Sequence, residues 1–157
     1  MGRYHGREVA RRTAVSAGGA NQMLRSFANL DLLLSEKRGR MLFYMANMDN
    51  PLVRQLKILF TLFQLDGPIK QAKASSHRMI LFGSCAEGTD VKESDIDLFL
   101  LANEKSDLID IVHKFNAKSQ RRIAPMILDP QGFSKLKRED TALFDRISRG
   151  MSLWQKD

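Results

Sequence analysis

The sequence predicts an α+β protein, and three patterns carry that reading. Residues 7–65 repeat apolar side chains at helical spacing, broken once by a hairpin-like stretch. Residues 78–128 hold three apolar runs of strand length, separated by a polar loop and an amphipathic helix. Residues 131–150 return to helical spacing.

Residues 7–13 read as a short helix with Val9 and Ala10 on its apolar side. Ser16 is a good N-cap, and Met23, Leu24, Phe27, Leu30 and Leu33-Leu34 then recur at helical spacing. Gly18 and Gly19 weaken the first turn of that helix but let a backbone approach closely. Residues 32–44 are an apolar run, a charged turn with Gly39 and a second apolar run, which predicts a two-stranded hairpin with Lys37, Arg38 and Arg40 at its tip. Asn50-Pro51 opens a helix with Leu52, Leu56, Leu59, Phe60 and Phe63 on one face, and Gly67-Pro68 is expected to end it.

Strands are expected at residues 78–82, 95–101 and 123–128. Between the first two lies a loop of small and polar residues, 83–94, with room for a short helix. An amphipathic helix, 105–118, carries Leu108, Ile111, Val112 and Phe115. Residues 131–150 are read as largely helical, burying Phe133, Leu136, Leu143, Phe144 and Ile147. The organisation expected is residues 1–49, a connecting helix 50–70, and a second domain 71–157. The turn residues Gly67 and Pro68 and the polar run 73–77 mark the boundary.

A chain of 157 residues, 43% hydrophobic and 27% charged, has the composition of a folded globular protein. No apolar run approaches the roughly 20 residues of a membrane-spanning helix, and residues 1–5 lack a signal-peptide core, so no membrane partner and a cytoplasmic location are expected. The single cysteine, Cys85, excludes an intrachain disulfide and fits a reducing compartment as a small buried filler. The net charge of +7 is uneven. Residues 1–40 hold eight Lys/Arg against three Asp/Glu, whereas residues 67–157 hold fifteen against thirteen. That asymmetry points a polyanion at the first third.

The sharpest chemical feature is Gly83-Ser84 followed by Ser94-Asp95-Ile96-Asp97. Two carboxylates two residues apart on a strand share one face. Their mutual repulsion and desolvation are costly, and a divalent cation removes that cost. Mg²⁺ suits such a pair, because it takes one or two carboxylates and completes its shell with waters and phosphate oxygens. Gly83 leaves space for a phosphate against the backbone, and the Ser84 hydroxyl can donate to it.

This stretch resembles the nucleotidyltransferase superfamily, the DNA polymerase beta-like and minimal nucleotidyltransferases. The shared features are an apolar strand, Gly-Ser, a loop of about ten residues and Asp-x-Asp within a strand, matched over residues 79–101. The resemblance implies a mixed sheet with flanking helices, an NTP substrate, Mg²⁺ on the catalytic pair Asp95 and Asp97, and nucleotide contacts from Gly83, Ser84 and Ser94. One departure stands out. Active relatives carry a third carboxylate in the next strand, and alignment on Pro130 puts Met126 there, with Asp129 three residues late. Relatives also often have Arg where this chain has Cys85 and Glu87.

Residues 3–49 resemble a winged helix-turn-helix of prokaryotic transcription regulators, through residues 7–16, the helix from Ala17 and the hairpin around 36–43. That resemblance implies double-stranded DNA as partner, with residues 17–28 as the recognition helix. Asn21, Gln22 and Arg25 are the base-reading candidates. Arg11, Arg12, Ser16, Lys37, Arg38 and Arg40 are the phosphate-contact candidates. Such domains usually place a helix before residue 7, where only six residues stand here; either that helix is missing or a partner chain fills its place, and an open apolar face there would favour a homodimer.

Three functions follow as expectations. The first is a DNA-binding regulator with a nucleotide- and metal-binding domain that has lost catalytic power. The second is an active transferase moving NMP from an NTP to a protein, nucleic acid or small molecule. The third is an antitoxin-like partner of a small helical protein.

Overall fold

The structure is a computed structural model that describes residues 2–156. Its contacts divide the chain into two compact units, Met1–Gln55 and Leu56–Asp157.

The first unit begins with a two-residue strand β1 (Tyr4–His5), followed by helices α1 (Gly6–Thr13) and α2 (Ala17–Asn29) and strands β2 (Leu33–Arg38) and β3 (Met41–Ala46). Ser16 caps α2, its Oγ accepting from the Gly19 amide at 3.1 Å. The predicted hairpin forms, with Arg38 opposite Met41 and Gly39 supplying the left-handed turn residue at φ 59°. The sheet has a third strand that periodicity could not reveal, because two residues carry no alternation. Tyr4 and His5 pair antiparallel with Tyr44 and Phe43, giving the order β1-β3-β2. Of the apolar residues expected to bury α2, only Leu24 is buried, together with Ala20. Met23, Phe27 and Leu30 are exposed.

Asn50 opens α3 (Pro51–Ala72) as expected, its Oδ1 accepting from the Leu52 amide at 2.9 Å. One expectation about this helix is corrected. Gly67-Pro68 does not end it, for α3 continues to Ala72. A proline inside a helix removes one hydrogen bond, here to the Gln64 carbonyl. Gln64 and Pro68 both border an open cleft, so water can replace the lost donor. The apolar strip legible in the sequence is not the buried face. Val53, Ile58, Thr61, Leu65 and Ala72 are buried, whereas Leu52, Leu56, Leu59, Phe60 and Phe63 are exposed. Thr61 tolerates burial because its hydroxyl donates to the Lys57 carbonyl at 3.1 Å.

The second unit is built on a mixed four-stranded sheet of order β6-β5-β4-β7. Its strands are β4 (Arg78–Leu81), β5 (Ile96–Leu101), β6 (Ile123–Leu128) and β7 (Met151–Gln155). β5 and β6 run parallel, and the other pairs run antiparallel. The parallel pair needs a crossover, which α5 (Ser106–Asn116) supplies. A four-residue helix, α4 (Ser84–Glu87), follows β4. The stretch 131–150, expected to be largely helical, holds two helices, α6 (Pro130–Glu139) and α7 (Thr141–Ser148). The break is Asp140, whose extended φ of −137° lets Oδ1 cap α7 by accepting from the Leu143 amide at 2.9 Å.

Strand alternation divides the core between the two sheet faces. Met79, Leu81, Ile96, Leu98 and Leu100 share one cluster with Leu65, Leu108 and Val112. Ile80, Phe82 and Phe99 join Ile147 in the other, against Met126, Phe133 and Leu143. Asp97 follows the parity of Phe99, so its side chain belongs to the α6–α7 face.

Candidate functional site

The site forms where β4 turns into α4. Gly83 has φ 68° and ψ −159°, a region nearly closed to residues with a Cβ. A Cβ built there would also collide with Asp97 Oδ2. Gly83 is therefore required twice, by its own dihedral and by the carboxylate beside it. The Phe82 amide donates to the Asp97 carbonyl at 3.1 Å and pins the turn to β5. Ser84 opens α4, so its amide has no acceptor within the helix.

Strand β5 begins at Ile96, one residue later than expected, which leaves Asp95 exposed just before it. The Cys85 thiol donates to the Asp95 carbonyl at 3.2 Å, tying that segment to α4. Burial raises the Asp97 pKa above the ordinary carboxylate value. The Arg146 guanidinium opposes the rise, and the Asp95 charge adds to it. Cys85 is fully buried, and burial pushes its thiol pKa up. This is an inert filler rather than a nucleophile.

A divalent cation fits this donor set. Asp95 and Asp97 are hard oxygen donors, and the Asp95 charge makes the ionised form of Asp97 harder to hold. Among the described residues, no three His, Cys, Asp or Glu side chains are grouped to hold an ion. The remaining ligands would have to be water and phosphate oxygens.

The position of a third acid is apolar. In the parallel register Asp97 faces Ala124 and Phe99 faces Met126. Asp129 is committed elsewhere, for it caps α6 by accepting from the Gly132 amide at 2.6 Å. Ser94 is also engaged, its Oγ accepting from the Val91 amide at 2.9 Å and closing the turn before Asp95.

A cavity of about 630 Å³ opens beside Gly83, bordered by Glu87, Asp145, Arg146 and Arg149 among others. Sequence reasoning missed the two arginines. Their i, i+3 spacing put both on one face of the predicted helix, but nothing local said which turn they would meet. The fold brings them there because Gly150 lies hard against β4. A Cβ at Gly150 would sit 2.6 Å from Ile80 Cγ2 and from the Leu81 carbonyl oxygen.

Behind the loop a buried ionic cluster holds its shape. Asp90 is 3.1 Å from Arg121 Nη2 and 3.3 Å from Lys57 Nζ. Arg121 also donates to Cys85 Sγ at 2.9 Å and to the Ser94 carbonyl at 3.4 Å.

In the first unit, Arg11, Asn21, Arg25 and Arg40 border one cavity of about 640 Å³, together with His5 and Arg7. The Asn21 amide lies against Gly6. The other predicted contacts do not line this cavity. Arg12 pairs with Glu8 at 2.8 Å and lies over the Tyr4 ring at 4.8 Å. Arg38 makes a forked pair with Glu36, at 2.9 and 3.2 Å. Gln22 and Lys37 are exposed on α2 and the hairpin, and Ser16 Oγ is occupied as a helix cap.

Residues 68–157 match the family described as polymerase beta, nucleotidyltransferase. A 1.40 Å crystal structure from Sulfolobus solfataricus, of a protein named as a candidate nucleotidyltransferase, is similar at 17% identity and a TM-score of 0.44. The likeness covers 69% of this chain and 93% of that one. No curated protein matches the sequence. Among the described residues, no helix is long and apolar enough to cross a membrane.

Proposed function

Because the chain belongs to the polymerase beta nucleotidyltransferase family, we propose that residues 71–157 bind a nucleoside triphosphate with Mg²⁺, and that residues 1–49 take the protein to double-stranded DNA as a winged helix-turn-helix. The protein is then a regulator whose transferase domain serves as a nucleotide sensor with weakened catalytic power. The connecting residues 50–70 belong to neither function.

One observation carries the nucleotide reading. The Asp97 carboxylate occupies the space beside Gly83, at the start of the Ser84 turn. A cation on Asp95 and Asp97 and a phosphate at Ser84 would therefore be neighbours. The bound cation would clamp the phosphate oxygens and offset their charge. The Ser84 hydroxyl and amide would orient the phosphate chain, and Arg146 and Arg149 would add the positive charge that relatives often draw from the α4 turn. Ser94 would act by shaping the turn before Asp95.

The sensor reading is favoured over turnover by the apolar side chains of Ala124 and Met126, which leave no strand acid to take a proton from an attacking hydroxyl. The DNA reading is supported by the hairpin, the Ser16-capped α2 and the arginine-lined cavity beside it.

Calorimetry with an NTP and Mg²⁺ tests the nucleotide site. Binding is expected in the wild type and lost in Asp97→Ala, and equal affinity in the two would remove the assignment. Labelled NTP incubated with protein and acceptor mixtures tests turnover. Label transfer that disappears in Asp95→Ala and Asp97→Ala would replace the sensor with an active transferase.

A further inference from the structure

We propose that the outer face of α3 is a self-association surface, and that its occupant is the same face of a second copy of this chain. Leu56, Leu59, Phe60 and Phe63 are 42%, 45%, 63% and 68% exposed, on two consecutive turns of one helix. The steps of three and four residues between them draw a single strip along its outer side. Scattered exposed leucines need no explanation, but a contiguous strip ending in two phenylalanines does.

The strip itself indicates what covers it. It carries no charge. The neighbouring cation, Lys57, faces the other way and is held by Asp90 at 3.3 Å. A partner of opposite charge would find nothing to match, whereas an equally apolar strip would. The strip is also complementary to its own inverted copy. Antiparallel pairing about the midpoint between Leu59 and Phe60 sets Leu56 against Phe63 and Leu59 against Phe60, a smaller side chain facing a larger one each time.

The four side chains alone supply most, not all, of the area a specific interface needs. The four side chains leave about 400 Å² exposed per copy, so pairing two strips removes about 800 Å² of apolar surface before flanking residues are counted. That approaches the roughly 1,000 Å² at which specific interfaces begin.

Sedimentation velocity on the full chain over a range of micromolar concentrations tests the proposal. A dimer is expected. In Leu59→Glu and Phe63→Glu its dissociation constant should rise about a hundredfold or more, because a buried unpaired carboxylate faces an apolar strip. Circular dichroism should stay unchanged, since both positions are exposed in the single chain. Phe63→Leu should keep the dimer. A wild type that is monomeric at every concentration would overturn the proposal, whether or not a different protein occupies the strip. A dimer that survives both glutamate variants would overturn it equally, because another face would then carry the contact.

Discussion

Arg121 Nη2 lies 3.1 Å from Asp90 Oδ2, and through this pair the segment before β6 holds the loop before β5. The same guanidinium reaches Cys85 Sγ at 2.9 Å and the Ser94 carbonyl at 3.4 Å, so one side chain braces both ends of the loop that carries Asp95. Asp90 is buried, and removing Arg121 would leave Lys57, at 3.3 Å, to compensate its charge alone. Arg121→Met is expected to lower unfolding stability by about 1–2 kcal/mol, through lost hydrogen bonds and half of the charge pairing. Arg121→Lys should recover only part of that, because one ammonium nitrogen cannot span the separate positions that the guanidinium nitrogens occupy. Urea melts of the full chain measure both, and a loss within the error of the melts for Arg121→Met would contradict the bracing role.

Asp97 predicts a pH dependence whose sign is opposite to that of an ion-paired carboxylate. Burial, reinforced by Asp95 and opposed by Arg146, puts its folded pKa above the unfolded one. The folded chain therefore keeps this proton to a higher pH than the unfolded chain. The associated stability is complete below the unfolded pKa and is lost as pH rises through the folded value. A cation needs the deprotonated form, so Mg²⁺ affinity should fail on acidification earlier than for an ordinary carboxylate. Asp97→Asn should melt at or above the wild type at neutral pH without metal, and Mg²⁺ with an NTP should add nothing to it. A marked loss of stability without metal would instead make Asp97 a structural partner of Arg146.

The turn at Gly83 and the pair Asp95 and Asp97 were legible in the sequence because their chemistry is local, packed into fifteen residues on two adjacent strands. Arg146 and Arg149 were not, because their approach depends on Gly150 seating the end of α7 against β4. Which face of α3 packs inward was not legible, for a different reason. That helix is apolar on two sides, and periodicity selected the side with more leucine and phenylalanine. Packing selected the other, where Thr61 satisfies its hydroxyl internally and Leu65 and Ala72 reach the sheet. Asp129 illustrates the limit of reading acids by position, since its carboxylate is spent on the Gly132 amide.

Arg146 and Arg149 predict a dependence on phosphate number. Both border the cavity at Gly83, and the influence of Arg146 on Asp97 places its charge within reach of that carboxylate. Loss of one charge-assisted contact is worth about 1.5–3 kcal/mol, so Arg146→Gln and Arg149→Gln should each weaken NTP binding about tenfold or more. A nucleoside monophosphate should be affected much less. Calorimetry with the tri-, di- and monophosphate of one nucleoside reads this directly. Equal weakening for all three would assign the arginines to the base, the sugar or the fold.

The arginine cavity of the first unit predicts which cations matter for DNA. Arg7, Arg11, Arg25 and Arg40 border one opening, whereas Arg38 is held in a fork by Glu36 and Arg12 by Glu8. Committed guanidiniums have less to gain from a phosphate. Arg25→Ala combined with Arg40→Ala should therefore reduce the slope of log affinity against log salt by roughly two. Arg38→Ala alone should change it little, and Lys37→Ala should fall between, since that ammonium is exposed on the hairpin. Titrations of a duplex library at several salt concentrations check the order. If the wild type binds no duplex at low salt, the winged-helix reading of residues 1–49 falls. If Arg38→Ala is the more damaging change, the contact surface is the hairpin tip rather than the cavity beside α2.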